Sequence, residues 1–255
     1  MPDFYGRHTV TRISVVIPVL NDAEMLAVCL RSLRDQTRGA DEIIVVDNGS
    51  CDDSIRVAES GGARVIREAR PGITAASATG FDAASGDIIA RCDADSRLPL
   101  DWLERIERDF VTHPEAVAVT GPGRFYDLGP VATAFAKVFY MNAYFFCMHA
   151  ALGNNVLFGS NYAVLAPAWR TVSASVPRDD TELHDDIDLS FRVHPSATVV
   201  HNRDLVVGIS GRPFHSLTGA RRRMSRAIHT LAIHWPDQRP SRRWRVRRAT
   251  LSRGR

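Results

Sequence analysis

Two runs of apolar residues, 13–20 (ISVVIPVL) and 42–47 (EIIVVD), show no alternation with polar positions. That is the pattern of parallel strands covered on both faces. Between them, Met25, Leu26, Cys29, Leu30 and Leu33 recur at helical spacing. The order strand, helix, strand continues with a strand at 63–66, a helix over 74–84 and a strand at 87–92 (DIIARC). The first hundred residues therefore predict a βαβ series with right-handed crossovers, an α/β protein with a doubly wound, mostly parallel sheet flanked by helices. Ligands of such sheets bind beyond the carboxyl ends of the strands, so the loops 18–22, 47–50 and 93–96 should converge on one crevice. After Pro99 the pattern predicts a helix at 102–111, a strand at 116–120, a Gly-Pro-Gly turn, an apolar helix within 131–152, a strand at 160–165 and a helix at 183–192. There is no internal repeat and no Pro-, Gly- or Ser-rich linker. Residues 1–212 read as one domain and 213–255 as an Arg-rich helical appendage.

Composition narrows the class. With 45% hydrophobic and 24% charged residues in 255, the chain suits an ordinary globular protein. Its four cysteines fall at no metal-ligand spacing, and its first twelve residues contain no secretory apolar region, so a cytoplasmic placement is expected. The 131–152 stretch is long enough to cross a bilayer, but Lys137, Asn142 and His149 interrupt it, which points to a buried or interfacial helix.

The net charge of +3 conceals a division: residues 212–255 carry 13 Arg and a single acid, Asp237, a net +12, leaving −9 on the rest. Phe214, Leu217, Met224, Ile228, Leu231 and Trp235 form an apolar stripe, with Arg221, Arg222, Arg223 and Arg226 largely on other faces and Pro236 as the stop. Such a helix either lies on an anionic membrane surface, placing the protein peripherally at the inner face of a membrane, or packs its stripe on the body with its arginines solvated. A membrane, rather than nucleic acid, is the expected partner.

Three groups of acids are candidates for chemistry. Asp93 and Asp95 flank Ala94 directly after a buried strand, a costly place for charge unless a cation or hydrogen-bond donors compensate. A hard divalent ion, Mg²⁺ or Mn²⁺, shared with diphosphate oxygens would do so; otherwise the pair caps the next loop. Asp47 ends an equivalent strand, where it either meets a ligand or forms an Asx-turn. In the segment His184-Asp185-Asp186-Ile187-Asp188-Leu189-Ser190, Leu183, Ile187 and Phe191 give one helix face to the core and leave the acids at its edge. There they either do chemistry or stabilise the helix dipole.

The segments ISVVIPVLND, EIIVVDNGSCDDS and GDIIARCDADS together resemble the N-terminal half of the family 2 glycosyltransferases of the GT-A fold. The resemblance implies an inverting, metal-dependent transfer of a sugar from a nucleotide-diphosphate donor to an acceptor hydroxyl, possible acceptors being a glycan or lipid-linked molecule of the cell envelope. It assigns Pro18, Leu20, Asn21, Asp22, Asp47, Gly72 and Ala94 to the nucleotide-sugar, Asp93 to ribose and metal, and Asp95 to the metal. Asp186 falls on the family's base position, in a segment resembling Glu-Asp-x-Asp-Leu-Ser. Residues 159–163 (GSNYA) resemble the strand facing donor sugar and acceptor. Residues 205–212 resemble a late strand with a Ser-x-Arg ending, so that Arg212 either pairs with the diphosphate or merely begins the basic segment. His201 and His215 are either third metal ligands or ordinary core and surface residues. One departure stands out: the family's Ala-Ala-Arg-Asn stretch here reads Ala75-Ala76-Ser77-Ala78. A sugar-nucleotide pyrophosphorylase would need a Gly-rich basic loop after the first strand, which Pro18-Val19-Leu20-Asn21 is not. A catalytically silent partner protein fits poorly with intact Asp93, Asp95 and Asp186.

Overall fold

The computed structural model describes residues 11–129, 141–212 and 217–253. The first part of the 131–152 stretch, Pro213, Phe214 and His215 lie outside the described residues, as does the side chain of Leu217.

A seven-stranded sheet forms the centre, with strand order β3-β2-β1-β4-β7-β5-β8. Strands β1 (Ile13–Val19), β2 (Glu42–Asp47), β3 (Arg64–Arg67) and β4 (Ile88–Arg91) are mutually parallel. Every residue of β1 is buried because both faces are covered. Val15 and Ile17 pack with Leu26, Cys29 and Leu33 of α1 (Ala23–Arg34) and with Ile106 and Phe110 of α4 (Trp102–Thr112). Val16 turns to the other side, with Ala76 and Phe81 of α3 (Ile73–Ala83). That two-sided burial is the physical reason for the unbroken apolar runs. A short helix, α2 (Ser54–Ser60), completes this half.

Beyond β4 the direction changes. β7 (Tyr162–Leu165) runs antiparallel between β4 and β5 (Ala116–Thr120), pairing Arg91 with Tyr162, and β8 (Thr198–His201) closes the edge parallel to β5. A separate parallel pair joins β6 (Gly123–Phe125), which was not anticipated from the sequence, to β9 (Val207–Ile209), which falls within the late strand expected at 205–212. Gly208 exchanges two backbone hydrogen bonds with Arg97, at 2.9 and 2.8 Å, which fastens the late strand beside the loop following β4.

The remaining helices are α5 (Asn142–Leu152), α6 (Ala166–Val172), α7 (Asp185–Arg192), α8 (Leu217–His234) and α9 (Pro240–Arg253). No helix among the described residues is long and apolar enough to cross a membrane. The apolar stripe is divided: Ala227 and Leu231 of α8 pack against Met148, Leu152, Ile187 and Phe191, whereas Met224 and Ile228 of α8 and Trp235 just past its end stay exposed.

One expectation from the sequence fails here. Residues 237–255 hold few large apolar groups, which predicts a segment the core does not need, yet Arg243 in α9 is 2% exposed. Its Nε donates to Leu152 O at 2.5 Å, Nη1 to Phe191 O at 2.8 Å and Nη2 to Val193 O at 3.1 Å. These carbonyls end α5 and α7, where helix dipoles concentrate negative charge, and burial still lowers the guanidinium's pKa to about 10. Trp244 Nε1 adds a bond to Ala150 O at 2.9 Å. A docking cation does here what an apolar contact usually does, and hydropathy does not register it.

Replacing Arg243 with Met should leave three buried carbonyls without donors and cost about 3 kcal/mol, lowering Tm by roughly 6–12 °C. Thermal unfolding followed by circular dichroism checks this, and an unchanged Tm would mean that α9 contributes nothing to the folded body.

Candidate active site

The loops after β1 and β2 are laced together at the carboxyl edge of the sheet. Asn21 has a positive φ of 52°, a conformation Asn tolerates better than most side chains. Its N–H donates to Ser50 Oγ at 3.0 Å while its Oδ1 accepts from Cys51 N–H at 2.7 Å. Asp22 N–H donates to Ser54 Oγ at 3.2 Å. Asp47 is 4% exposed, and its carboxylate accepts from Gly49 N–H at 3.3 Å and Ser50 N–H at 3.2 Å. It therefore forms the Asx-type turn that was one of its two readings. Gly72, with φ 114°, opens α3 and donates its N–H to Asn48 Oδ1 at 2.7 Å; Asn48 in turn donates to Glu68 O and Arg70 O. Asn48 escaped the sequence reading, although Asn beside a strand end is a common loop organiser. Pro18 is buried within β1 opposite Val46, Leu20 is exposed at the mouth, and Ala94 tucks into the core.

Asp93 and Asp95 stand at the centre of the crevice. Ser160 Oγ donates to Asp93 Oδ2 at 2.5 Å, and Arg91 Nη2 lies 3.0 Å from Asp93 Oδ1 and 3.2 Å from Asp185 Oδ2. Ser77 Oγ reaches the same Asp185 oxygen at 3.0 Å. Arg212 grips Asp22 through both terminal nitrogens, at 3.0 and 2.6 Å, and Asp95 at 2.8 Å. It is placed there by Ser210 and Gly211, which donate to Asp127 at 2.6 and 2.7 Å. Burial and the neighbouring Asp93 push the Asp95 carboxyl above its ordinary pKa even though Arg212 opposes them. Asp95 thus shares Arg212 with Asp22 and feels the charge of Asp93, so that three hard carboxylates line this edge of the sheet. Their chemistry fits a divalent cation such as Mn²⁺ or Mg²⁺.

At the start of α7 the three acids divide their work. Asp188 accepts from Arg192 at 2.6 and 2.8 Å and pairs with His234 of α8 at 2.8 Å, an anchoring role away from the crevice. Asp185 faces Arg91, and burial followed by repulsion from Asp186 raises its pKa. Asp186 is 2% exposed. Its Oδ2 accepts from Gly159 N–H at 2.6 Å, and its Oδ1 from Ile187 N–H at 2.7 Å and from His184 Nδ1 at 2.5 Å. Burial works against its ionisation, but His184 and Arg91 hold the carboxyl at about 2. A Cβ on Gly159 would run into Arg91 Nη1 and stand 2.9 Å from Asp186 Oδ2, so only glycine fits between them. His184, Asp185 and Asp186 offer ligand atoms within 4.8 Å of one another, but Arg91 already balances this group. His201 stacks on Phe145 with 4.3 Å between ring centroids, on the edge strand β8, and burial lowers its pKa. It is half-buried, and its Nε2 has no hydrogen-bond partner among the described residues. Arg91 went unmarked in the sequence reading, while His184 and Ser160 stood inside quoted motifs without a role of their own; a charge inside the apolar run IIARC was the available signal for Arg91.

The model of Glycosyl transferase family 2 matches residues 14–160, and that of Glycosyl transferase family group 2 matches residues 88–249. Glycosyltransferase AglE of Haloferax volcanii is 36% identical over 105 residues, covering 38% of this chain and 34% of that protein. Glycosyltransferase GlyA of Streptococcus pneumoniae is 30% identical over 120 residues, covering 45% and 17%. The matched part is thus about a third or less of these relatives' length. Among solved structures, glucosyl-3-phosphoglycerate synthase from Mycobacterium tuberculosis, in complex with Mn²⁺, UDP and glucosyl-3-phosphoglycerate, superposes with TM-score 0.63 at 23% identity, covering 88% of this chain and 80% of that one. The mannosyltransferase PcManGT from Pyrobaculum calidifontis, in complex with GDP-Man and Mn²⁺, gives 0.64 at 18% identity, covering 96% and 75%. Both share the fold.

Exchanging Arg91 for Met should strand Asp93 and Asp185 without their buried counter-charge and destabilise the protein by about 3–5 kcal/mol. Urea titration measures this. A loss below about 1 kcal/mol would show that the two carboxyls do not depend on the guanidinium.

Proposed function

The chain belongs to glycosyl transferase family 2, and on that premise we propose that it transfers a sugar from a nucleotide-diphosphate donor to an acceptor hydroxyl with inversion at the anomeric carbon. The observation that carries this reading is the Asp93-Ala94-Asp95 loop, whose Asp95 shares Arg212 with Asp22 of the loop after β1 and whose Asp93 accepts from Ser160, at the carboxyl edge of the sheet. Mn²⁺ or Mg²⁺ held by Asp93 and Asp95 would offset the charge that the departing diphosphate gains. Mn²⁺ accompanies UDP or GDP-Man in the two solved structures of this fold, which supports the choice of ion and donor class.

The chain's own residues supply the rest. Asn21, Asp22 and the turn closed by Asp47 form the wall against which base and ribose rest, and Gly72 lets α3 begin close to them. Arg212 already pairs bidentately with a carboxylate, and the same fork suits a diphosphate. The acidic start of α7, where the family's base position falls on Asp186, receives the acceptor's proton. We assign catalysis to residues 1–212 and membrane contact to 213–255, with the acceptor a glycan or a lipid-linked molecule at an anionic membrane surface. The support is that Met224 and Ile228 are exposed on the same helix as the exposed Arg221 and Arg222, with Trp235 exposed in the turn that follows, the composition of a helix that lies in the interface plane.

Binding of UDP or GDP should require the divalent ion, and Asp95→Ala should abolish most of it, because the diphosphate loses its bridging cation. Titration calorimetry with Mn²⁺ and with chelator tests this, and equal affinity in both would remove the metal assignment. Vesicles containing anionic lipid should co-sediment with the protein at low salt and release it as salt rises, since each surface Arg contributes about 1 kcal/mol and is screened over roughly 10 Å. Met224→Ser with Ile228→Ser should weaken this association; binding indifferent to both salt and these changes would sink the membrane assignment.

A further inference from the structure

Two arginines neutralise the acidic loop after β4, and they are held differently. Arg91, its side chain 1% exposed, faces Asp93 from within the sheet. Arg212, its side chain 49% exposed, closes over Asp95 from the solvent side. Its Nη2 is divided between Asp95 Oδ2 at 2.8 Å and Asp22 Oδ2 at 2.6 Å, and its Nη1 reaches Asp22 Oδ1 at 3.0 Å. Among the described residues it is the only ion-pair partner of either acid. One guanidinium thus joins the loop after β1 to the loop after β4, across 190 and 117 residues of sequence.

The backbone on either side of this contact is held by other bonds. Ser210 Oγ and Gly211 N–H donate to Asp127, and Arg212 N–H donates to Ser210 Oγ at 3.2 Å. Opposite, Tyr126 Oη donates to Asp95 O at 3.0 Å, and Asp22 N–H is bonded to Ser54 Oγ. The guanidinium can therefore leave by rotation about its own side-chain torsions, while the chain beneath it and the two carboxylates stay in place.

We propose that Arg212 is a stand-in cation: it occupies Asp22 and Asp95 until the donor arrives, then passes to the diphosphate and frees Asp95 for the divalent ion. The inference rests on the glycosyl-transfer reading and adds to it an interdependence of ion and donor. A carboxylate oxygen that carries a guanidinium is a poor ligand for Mn²⁺ or Mg²⁺, because two cations on one oxygen repel. A diphosphate offers the same planar fork two anionic oxygens, so Arg212 gains there what it gives up at Asp22 and Asp95. Either ligand alone must first release the guanidinium, and the second then binds a site already released. Ion and nucleotide are therefore coupled beyond their direct contact with each other, since each meets a competent arrangement that is only fractionally populated when it comes alone.

Mn²⁺ binding followed by electron paramagnetic resonance, with and without UDP or GDP, tests this on the full chain. Arg212→Met should bind Mn²⁺ alone about ten- to a hundredfold tighter than wild type, with Tm near wild type. The factor by which the nucleotide tightens Mn²⁺ should shrink by a similar amount. Tighter Mn²⁺ with that factor unchanged would overturn the proposal, because a guanidinium that stays on Asp95 repels the ion equally in both states; an unaltered Mn²⁺ affinity would sink it too. A crystal structure of the wild-type protein with Mn²⁺ and UDP or GDP reads the exchange without a variant. Arg212 should lie against the diphosphate, and an Arg212–Asp95 pair kept intact beside the bound ion would refute the exchange. Nucleotide binding equally tight with Mn²⁺ and with chelator would instead remove the metal assignment on which it rests.

Discussion

A guanidinium sealed inside the sheet is the interaction on which the crevice depends. Arg91 occupies the last position of β4, is 1% exposed, and lies between a carboxylate of the Asp93 loop and one at the start of α7. Its Nε has no hydrogen-bond partner, an arrangement that apolar surroundings would not support without two acids and the face of Tyr162, 5.9 Å away. Because Arg91 joins two elements far apart in sequence, the Asp93 loop and the start of α7 hold a common spacing. Gly159 is the complement of that contact, since any side chain there would displace Arg91 or Asp186. The Ala75-Ala76-Ser77-Ala78 stretch of α3 brings no cation to this cluster. The cation arrives from the neighbouring strand instead of from α3, and Ser77 fits beneath it with a hydroxyl on Asp185.

Where burial is two-sided and periodic, the chain was legible. Strands β1, β2 and β5 and helices α1, α3 and α4 lie within about a residue or two of where the apolar pattern puts them, and the three polar loops do meet. Direction was not legible: YAVL at 162–165 reads the same whichever way it runs, and only the pairing of Arg91 with Tyr162 makes β7 antiparallel. The three-residue strands β6 and β9 are too short to leave a period. Side-chain roles followed the same division. An Asp pair after a buried strand announces itself through the cost of burying it, whereas His184 differs from a surface histidine only through its contact with Asp186, which no local spacing encodes.

The basic C-terminal segment shows why net charge is a poor guide to where charge acts. Its 13 arginines include one that closes on Asp22 and Asp95, one that is buried against helix ends, and several that remain in solvent. The first replaces part of the positive charge the acids lack, the second does the work of a core residue, and the last group defines the electrostatic surface. Each guanidinium is chemically the same, and its surroundings decide whether it binds, holds or attracts.

The clamp at Arg243 has a consequence for how the protein comes into being. Helix α7 is only eight residues long, about 12 Å from end to end, with Asp185 and Asp186 at one end and the carbonyls gripped by Arg243 at the other. Chains fold as they are synthesised, from the N-terminus, so the βαβ half is made more than a hundred residues before the residue that secures α7. Until residue 243 leaves the ribosome, the carbonyl end of α7 lacks the guanidinium that holds it, and the wall of the crevice that α7 forms is the last part of the body to be pinned.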